Sequence, residues 1–562
     1  MIRRVALVGA AVVLAAGGPV GVVRAQDVES AIHNPVRFTG DVVTMGQVYG
    51  HTGIAGRWPD ESFSIGFTPQ LTLFNDVSMG LDLLLSTQGS TAQQSINQLG
   101  FNPSWRWITL HAGDFSDDYS EMTVQGTRVR GAGFDLTPGL FRISFQGGQS
   151  QRAVFAGDGT SVYARNLFAG LVGFGRPDAS YVNVTVVKAK DDPNSIRQAL
   201  IDTTLIDTIP VALRPQEQTR PQENLVVGVG GQLTLLDRRL VLKGEGDGAV
   251  VTHDLDSPLA NPDAVRFGSL VSSFMPLRLS SSGDYAYKLD GTYAFGSGAV
   301  RAGYQYIGPG YTSLGLSYLI NDRRAITLGG NVGLLENRVL LQGQLQHQND
   351  DVLGQKVATT NQDAVMLSAA LRPTDNLSAS VTAMGTAVVN DASIDTFAVN
   401  DHSYALTTNL ALQESLLGRP AIYSLAYGIQ RTHDVSVVAP VPRVTVHNLS
   451  ASVQVNLSRA ISVAPSLSLA ATQTVGAATQ ENLFFGFRGT GRFLEGRLTA
   501  SFDASETFTN SRGVTGVNSQ LAYALPWASR LMFQTRYNHY AALGGEPAFT
   551  ESFATLTVSR SF

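Results

Sequence analysis

The sequence contains no cysteine and little charge. Without cysteine, neither a disulfide framework nor a lipid-modified cysteine anchor is possible. Charged residues make up 15% of the chain, whereas soluble proteins carry about 25%. The formal net charge of −5 argues against a nucleic-acid partner. These shortages favour a chain that keeps much of its surface away from water.

Long apolar runs are also scarce, except at the start of the chain. Arg3 and Arg4 precede an apolar run over residues 5–16, and small residues lead to Ala25. This order predicts a secretory signal peptide over residues 1–25, followed by a short periplasmic segment over residues 26–35. A membrane-anchor helix is the alternative, but the run is shorter than the roughly 20 residues that a span needs. Beyond Ala25 no apolar run reaches that length, so the exported chain is periplasmic, secreted or a transmembrane barrel.

Alternation of apolar and polar residues recurs through the rest of the chain. Between Leu449 and Ser458 every odd position is apolar and every even position is Ser, Gln or Asn. Residues 141–152, 340–348 and 530–540 follow similar patterns. Each run is close to the ~9–11 residues that cross a bilayer as a tilted strand. A large soluble sandwich or propeller also alternates, but the signal peptide and the low charge favour the membrane.

Turns and loops alternate in length between these runs. Short turns at residues 236–238, 336–338 and 526–528 alternate with longer polar loops such as residues 349–363 and 541–551. The pattern predicts an all-β, single-chain transmembrane antiparallel β-barrel over residues 36–562, with short turns facing the periplasm. We count about 26 strands, with a range of roughly 22 to 28, inside the bacterial range.

Two proline-containing segments interrupt the pattern, at residues 196–223 and 254–284. They are predicted to be irregular insertions. If an inserted loop narrows the lumen, these two segments are the candidates for that loop. No N-terminal plug domain is expected, because the first strand-like run begins near Val36, soon after the cleavage site.

The last residues, 550–562, form a half-apolar strand. Leu556, Val558 and the terminal Phe562 lie on its apolar side and resemble the assembly signal read by the barrel-assembly machinery. Arg560 departs from that signal, because it occupies an apolar position from which it would snorkel to the headgroups. We expect this strand to pair with the strand that begins at Val36 and so to close the barrel.

The polar positions of the alternating runs predict the lining of the lumen. Their amides and charges of both signs indicate a lumen that is wet or filled by polar contacts. The residues assigned to the lining are Arg142, Gln146, Arg152, Lys243, Glu245, Asp247, Gln342, Gln344, Gln346, Gln348, Gln454, Asn456, Gln534 and Arg536.

The sequence offers little enzyme chemistry. The nine histidines are scattered, and no Gly-x-Ser-x-Gly motif is present. His111 is the most suggestive, because Asp114, Asp117 and Asp118 follow it, but a solvated strand end explains the group more simply. We therefore expect no catalytic residues, no cofactor and no metal.

Several stretches resemble an uncharacterised, porin-like family of large outer-membrane barrels of Bacteroidota and related phyla. They are residues 101–113, 130–142, 188–196, 221–228 and 309–315, with Asn321 and Asp322. The resemblance implies a barrel in the cell outer membrane, in contact with its lipid, and implies no substrate.

The leading functional hypothesis is a channel or porin-like pathway for polar solutes. The alternative is a structural or interaction barrel in a secretion or surface-assembly system, with a blocked lumen and a protein partner at the extracellular loops.

Overall fold

The computed structural model describes residues 36–74, 76–87, 97–154, 161–196, 220–264, 267–434, 436, 442–509, 512–543 and 546–562. The predicted signal peptide and periplasmic segment lie outside the described residues, as do residues 197–219 of the first proline-containing segment. The described part of the chain is almost entirely β-structure.

One sheet contains 26 strands, which agrees with the predicted number. The strands are β1 (Val36–Thr52), β2 (Glu61–Leu73), β3 (Val77–Ser86), β4 (Gln98–Trp105), β5 (Ile108–Phe115), β6 (Val129–Leu136), β7 (Phe141–Gln151), β8 (Arg165–Gly175), β9 (Tyr181–Asp191), β10 (Glu223–Leu235), β11 (Leu240–Thr252), β12 (Ser281–Phe295), β13 (Gly298–Ile307), β14 (Arg323–Leu334), β15 (Val339–Asn349), β16 (Thr360–Thr374), β17 (Leu377–Asn390), β18 (Asn400–Leu416), β19 (Arg419–Asp434), β20 (Val444–Asn456), β21 (Ile461–Thr474), β22 (Gln480–Phe493), β23 (Leu498–Thr509), β24 (Val514–Leu525), β25 (Ser529–Tyr540) and β26 (Phe549–Ser561). The described helical elements are one short helix, α1 (Gly268–Ser272), and 3-10 turns at Pro262–Ala264, Asp395–Phe397 and Leu494–Gly496.

Each strand pairs in antiparallel fashion with its neighbours in the sequence, and the last strand pairs with the first. β26 is hydrogen-bonded to β25 on one side and to β1 on the other, with Val558 opposite Thr44. The backbone groups of Phe562 and Gly40 exchange two further hydrogen bonds. The predicted closure is confirmed, and the barrel has no open edge.

The two faces of the sheet differ in what covers them. On β8, Phe168, Val172 and Phe174 are 50%, 57% and 50% exposed. Leu167 and Leu171 point the other way and are buried. The outward face of other strands continues the apolar surface with Val184, Val229, Leu289, Leu328, Leu345, Leu367, Leu410, Leu425, Leu449, Leu467, Phe485, Phe502, Leu521 and Phe533. A continuous apolar outer wall is the surface of a transmembrane barrel.

Among the described residues, no helix is long and apolar enough to span a bilayer.

The short turns share the end of the barrel at which β1 begins and β26 ends, and the long connections lie at the other end. The turn between β10 and β11 holds Leu236, Asp237 and Arg238 at φ 52, 53 and 67°. Left-handed residues let the chain reverse within a short hairpin turn. Asp tolerates this conformation better than Leu does, because its side chain can bond locally.

Candidate functional site

Two long-end connections, residues 116–128 and 308–322, fold against the inner wall and contact each other; we call them the inner loops. The Tyr311 hydroxyl donates to the backbone carbonyl of Met122 at 2.8 Å. The Thr127 hydroxyl and the backbone N–H of Gln125 both donate to the carbonyl of Gly315, at 2.8 and 3.3 Å. Burial raises the pKa of the Tyr311 phenol, so it remains a protonated donor. These bonds hold the two loops together as one unit.

The inner loops dock through a small apolar core. Met122, Val124 and Tyr311 are at most 1% exposed. They cluster with inward residues of the wall, among them Leu167, Ala169, Leu171, Val187, Ala189, Val226 and Ala249. Each large apolar side chain buried in this way contributes about 1.5–3 kcal/mol. The inner wall is therefore apolar here, where a barrel interior is usually polar.

Asn224 supplies a polar anchor at the same place. Its side chain is fully buried. The amide nitrogen donates to the carbonyls of Thr312 and Val250 at 2.9 and 3.1 Å, and the amide oxygen accepts from the N–H of Leu314 at 3.0 Å. One side chain of β10 thus satisfies backbone groups of both the wall and the 308–322 loop.

A charged cavity of about 180 Å³ lies between the 116–128 loop and the wall. Glu245 lies opposite Lys288 in the register of β11 and β12, and one of its carboxylate oxygens accepts from the backbone N–H of Met122 at 3.2 Å. The Lys288 ammonium donates to the Glu121 carboxylate at 2.6 Å. Asp247 is 5% exposed, and neither of its carboxylate oxygens has a hydrogen-bond partner among the described residues. The cavity therefore contains a buried carboxyl group that has no hydrogen-bond partner among the described residues.

The residues predicted to line the lumen are spread over the inner face of the sheet and are not gathered at one site. Lys243, Glu245 and Asp247 border the charged cavity. Gln146 is fully buried, and its amide donates to the Asp117 carbonyl at 3.0 Å. It therefore holds the 116–128 loop. Arg142 shares its face of β7, and Arg152 follows the end of that strand.

The other predicted residues lie on strands β15, β20 and β25, and of these Gln348 borders a cavity with Pro309 and Asn321 of the 308–322 loop. Gln342, Gln344, Gln346 and Gln348 share the inward face of β15, where the Gln348 amide donates to Gln362 at 2.6 Å. Gln454 and Asn456 share one face of β20. On β25, Gln534 lies opposite Gln520, and the Arg536 guanidinium lies 4.3 Å from the Phe553 ring centroid.

The residues of the predicted assembly signal lie in the closing strand. Leu556 and Val558 face outward, opposite Phe533 and Leu531 of β25. The ring of Phe562 stacks on that of Phe38 at 4.9 Å between centroids. Recognition of this strand by assembly machinery stays a prediction.

The inner loops are not the segments expected to narrow the lumen. The connection over residues 253–280 contacts residues at the rim: the Lys188 ammonium, on the outward parity of β9, donates to the carbonyl of Phe274 at 2.5 Å. Arg220 forms an ion pair with Asp254. A signal for the inner loops was present in β8 to β10, where stretches such as residues 167–174 are apolar on both faces. A strand that is apolar on both sides needs a covering on both sides.

These features define a class: a single-chain, closed antiparallel barrel with a lipid-facing outer wall and loops folded inside. No protein-family model and no curated protein matches the sequence. Among solved structures it is similar to the translocation pore of the P pilus usher PapC, with 9% identity, a TM-score of 0.38, and coverage of 93% of this chain and 100% of that one.

It is also similar to OccK2 (OpdF) from Pseudomonas aeruginosa, with 10% identity, a TM-score of 0.30 and coverage of 93% and 98%. A BenF-like porin from Pseudomonas fluorescens Pf-5 has 8% identity, a TM-score of 0.29 and coverage of 93% and 99%. Values this low say nothing about what passes through this barrel. The resemblance to the Bacteroidota family gains no support from these comparisons.

Proposed function

We propose that this protein is an outer-membrane channel for polar solutes, partly narrowed by the inner loops. The observation that carries the proposal is a contrast within the inner wall. Apolar residues of β8 to β11 are covered by the inner loops. The inner wall of β17 to β21 instead carries hydroxyls and amides, from Ser378, Ser380, Asn409, Ser424, Ser450, Ser452, Ser466 and Ser468. A wall with this chemistry suits contact with water and polar solutes.

The wall of β17 to β21 also suggests which solutes are favoured. Ser424 lies opposite Ser452, and Ser452 lies opposite Ser466, so the hydroxyls run across neighbouring strands. Hydroxyls donate and accept hydrogen bonds without carrying charge. The serine stretch itself carries no charged side chain, while Arg372 borders it and Asp401 lies opposite Asp434 at its long-loop end. We therefore expect weak ion selectivity and passage of neutral polar molecules.

Planar-bilayer conductance of the refolded protein tests the proposal. Steady, weakly selective current steps are expected. Replacing residues 117–127 by a short glycine linker should increase the step size, because this removes one of the inner loops. Shortening the connection over residues 391–399, which is not part of the inner loops, is the matched control and should leave the steps unchanged.

A folded barrel that remains electrically silent would reject the channel and favour an interaction barrel with a blocked lumen. Heat-modifiable gel mobility shows whether the barrel is folded in either case.

The outer-membrane location, cleavage after Ala25 and delivery by the barrel-assembly machinery belong to the same proposal. The apolar outer wall supports the location and the paired closing strand supports the delivery, whereas the cleavage site rests on the sequence of residues 1–25. Membrane fractionation with N-terminal sequencing of the mature protein tests the location and the cleavage site. Membership of the Bacteroidota family is likewise a proposal, supported by the quoted stretches.

A further inference from the structure

Three side chains from separate elements meet on the inner wall at the base of the 116–128 loop. They are His111 of β5, Asp135 of β6 and Asp117 of the loop itself. The His111 Nε2 lies 3.0 Å from one carboxylate oxygen of Asp135 and 3.8 Å from one of Asp117. All three potential ligand atoms lie within 4.8 Å of one another. The sequence spacing did not predict this group, because Asp135 lies on the next strand.

The surrounding hydrogen bonds fix the orientation of the imidazole. The Asn102 amide nitrogen donates to the Asp82 carboxylate at 3.1 Å, so the Asn102 oxygen must point towards His111. That oxygen lies 2.8 Å from the His111 Nδ1, which is therefore protonated and donates. The Nε2 atom is left to face the two carboxylates. Metal-binding histidines commonly use one nitrogen for the metal and donate from the other to an oxygen in this way.

The remaining contacts hold the group in place. One oxygen of Asp135 accepts a hydrogen bond from the Ser144 hydroxyl, which leaves the other facing His111. The Asp117 oxygen nearest to His111 is buried and has no hydrogen-bond partner among the described residues. The His111 ring stacks on Phe115 at 5.0 Å between centroids. The ligand atoms are thus directed towards one another before any ion arrives.

We propose that His111, Asp117 and Asp135 bind a divalent transition-metal ion of the Zn²⁺ type. One imidazole nitrogen and two carboxylate oxygens suit such an ion. In a tetrahedral site with bonds of ~2.1 Å the ligand atoms lie about 3.4 Å apart, between the 3.0 and 3.8 Å that separate the His111 Nε2 from the two carboxylates. Two ligands come from the wall and one from an inner loop, so the ion fastens the 116–128 loop to the barrel.

The alternative occupant of the site is a proton. A doubly protonated His111 would donate from Nε2 to Asp135. The guanidinium of Arg142, on the inward face of β7, would help to balance the negative charge of the two carboxylates. The two states differ in whether the folded protein takes up a metal ion.

Titration of the metal-stripped, folded barrel in detergent with Co²⁺ and Zn²⁺ distinguishes these states. We expect one ion per chain, with visible Co²⁺ absorption bands that Zn²⁺ abolishes. His111→Ala and Asp117→Asn should remove the binding. Asn102→Ala should weaken it by about 10–100-fold, because it releases the imidazole orientation.

His347→Ala is the matched control and should bind as the wild type does. His347 also lies 2.7 Å from a carboxylate, that of Asp363, but only one carboxylate is present there and both side chains are largely exposed. Equal Co²⁺ binding by wild type and His111→Ala, or no saturable binding by wild type, would overturn the proposal. Asp117→Asn changes a loop residue and leaves the strands unaltered, so it still tests the site if His111→Ala does not fold.

The consequence for the inner loop rests on the proposed channel, whereas the binding itself does not. Zn²⁺ should reduce current fluctuations in wild type and leave those of His111→Ala unchanged. A silent barrel that still binds Co²⁺ would reject the channel alone. A conducting barrel that binds no Co²⁺ would reject the metal site alone.

Discussion

At the residue scale, Asn224 is the buried polar anchor of the 308–322 loop. Its three hydrogen bonds join backbone groups of Val250, Thr312 and Leu314 in a fully buried position. Such groups have no access to water, so losing their partner costs more than the mean value of a hydrogen bond. The inner loops depend on this amide because their own apolar core is small.

Asn224→Ala should weaken loop docking by about 1–3 kcal/mol, because buried carbonyl and amide groups lose their partner. Hydrogen exchange of residues 308–322 measures the change as faster exchange at neutral pH. Asn361→Ala, at a partly exposed position of β16, is the control and should exchange as the wild type does. Unchanged protection in Asn224→Ala would show that the apolar contacts alone hold the loop.

Asp322 joins the end of the 308–322 loop to the neighbouring connection between β15 and β16. It forms an ion pair with Lys356 and accepts the backbone N–H groups of Val352 and Asp351 at 2.9 and 3.1 Å. Burial by itself would raise the pKa of Asp322, but these hydrogen bonds outweigh it and hold the pKa below its usual range. The bond to Asp322 raises the pKa of Lys356.

The contact should therefore be stable at neutral pH and break at acid pH. A carboxyl with a lowered pKa stabilises the docked loop above its ordinary pKa of about 3.9, and the effect is lost as the pH falls through the lowered value. The Lys356 ammonium stabilises the docked loop below the ordinary lysine pKa of about 10.4, and this stabilisation is lost as the pH rises through the raised value. Exchange of residues 350–359, corrected for intrinsic rates, should rise below about pH 4.

Asp322→Asn should show faster exchange already at neutral pH and a smaller further rise in acid, which comes from Asp351 and the N–H groups of Gln355 and Lys356 that it accepts. A wild-type loop that stays protected after Asp322 is protonated would contradict this account.

At the element scale, neighbouring residues of one strand face opposite sides of the barrel wall, one towards the lipid and the next towards the lumen. In β26, Leu556 faces outward opposite Phe533, and its neighbour Thr555 faces inward opposite Gln534. Leu556→Lys places a charge against lipid and should destabilise the barrel by ~2–4 kcal/mol near the membrane midplane. Thr555→Lys should cost much less, because the lumen side tolerates charge.

Denaturant unfolding in lipid vesicles compares the two variants directly. Equal destabilisation would mean that the faces of the closing strand are assigned wrongly.

Alternation along the sequence was enough to predict the strands, because in a membrane barrel the two faces meet different solvents. Runs such as residues 449–458 carry that contrast without interruption, and the predicted strand number agrees with the structure. Closure was predictable too, because a sheet in lipid cannot leave an edge unpaired.

The inner loops were not predicted, because alternation carries no signal for a short loop. Met122 and Val124 are too few to form a pattern, and the anchor Asn224 is one polar residue among many. The informative feature is the loss of alternation in β8, where Leu167 and Phe168 are both apolar. The sequence brings together only two of the proposed metal ligands, His111 and Asp117, because Asp135 reaches them only through strand pairing.

At the scale of the whole molecule, the absence of cysteine gives a direct test of whether the lumen is open. Ser452→Cys places the only thiol of the chain on the inner wall, and Val453→Cys places it on the outer wall. A charged, membrane-impermeant thiol reagent added to the reconstituted barrel should label the first variant and not the second. Failure to label Ser452→Cys in a folded barrel would indicate a blocked lumen.

Because β1 pairs with β26, the barrel can close only when both ends of the chain are present. Tyr49 and Glu551 share a hydrogen bond although 502 positions separate them in the chain. One edge of the first strand pairs with β2, but its other edge has no partner until the last residues have been synthesised and exported. A chain that ends early keeps two unpaired edges, which invite aggregation. A cell that degrades such unclosed barrels would keep in its membrane only chains that were translated to their last residue.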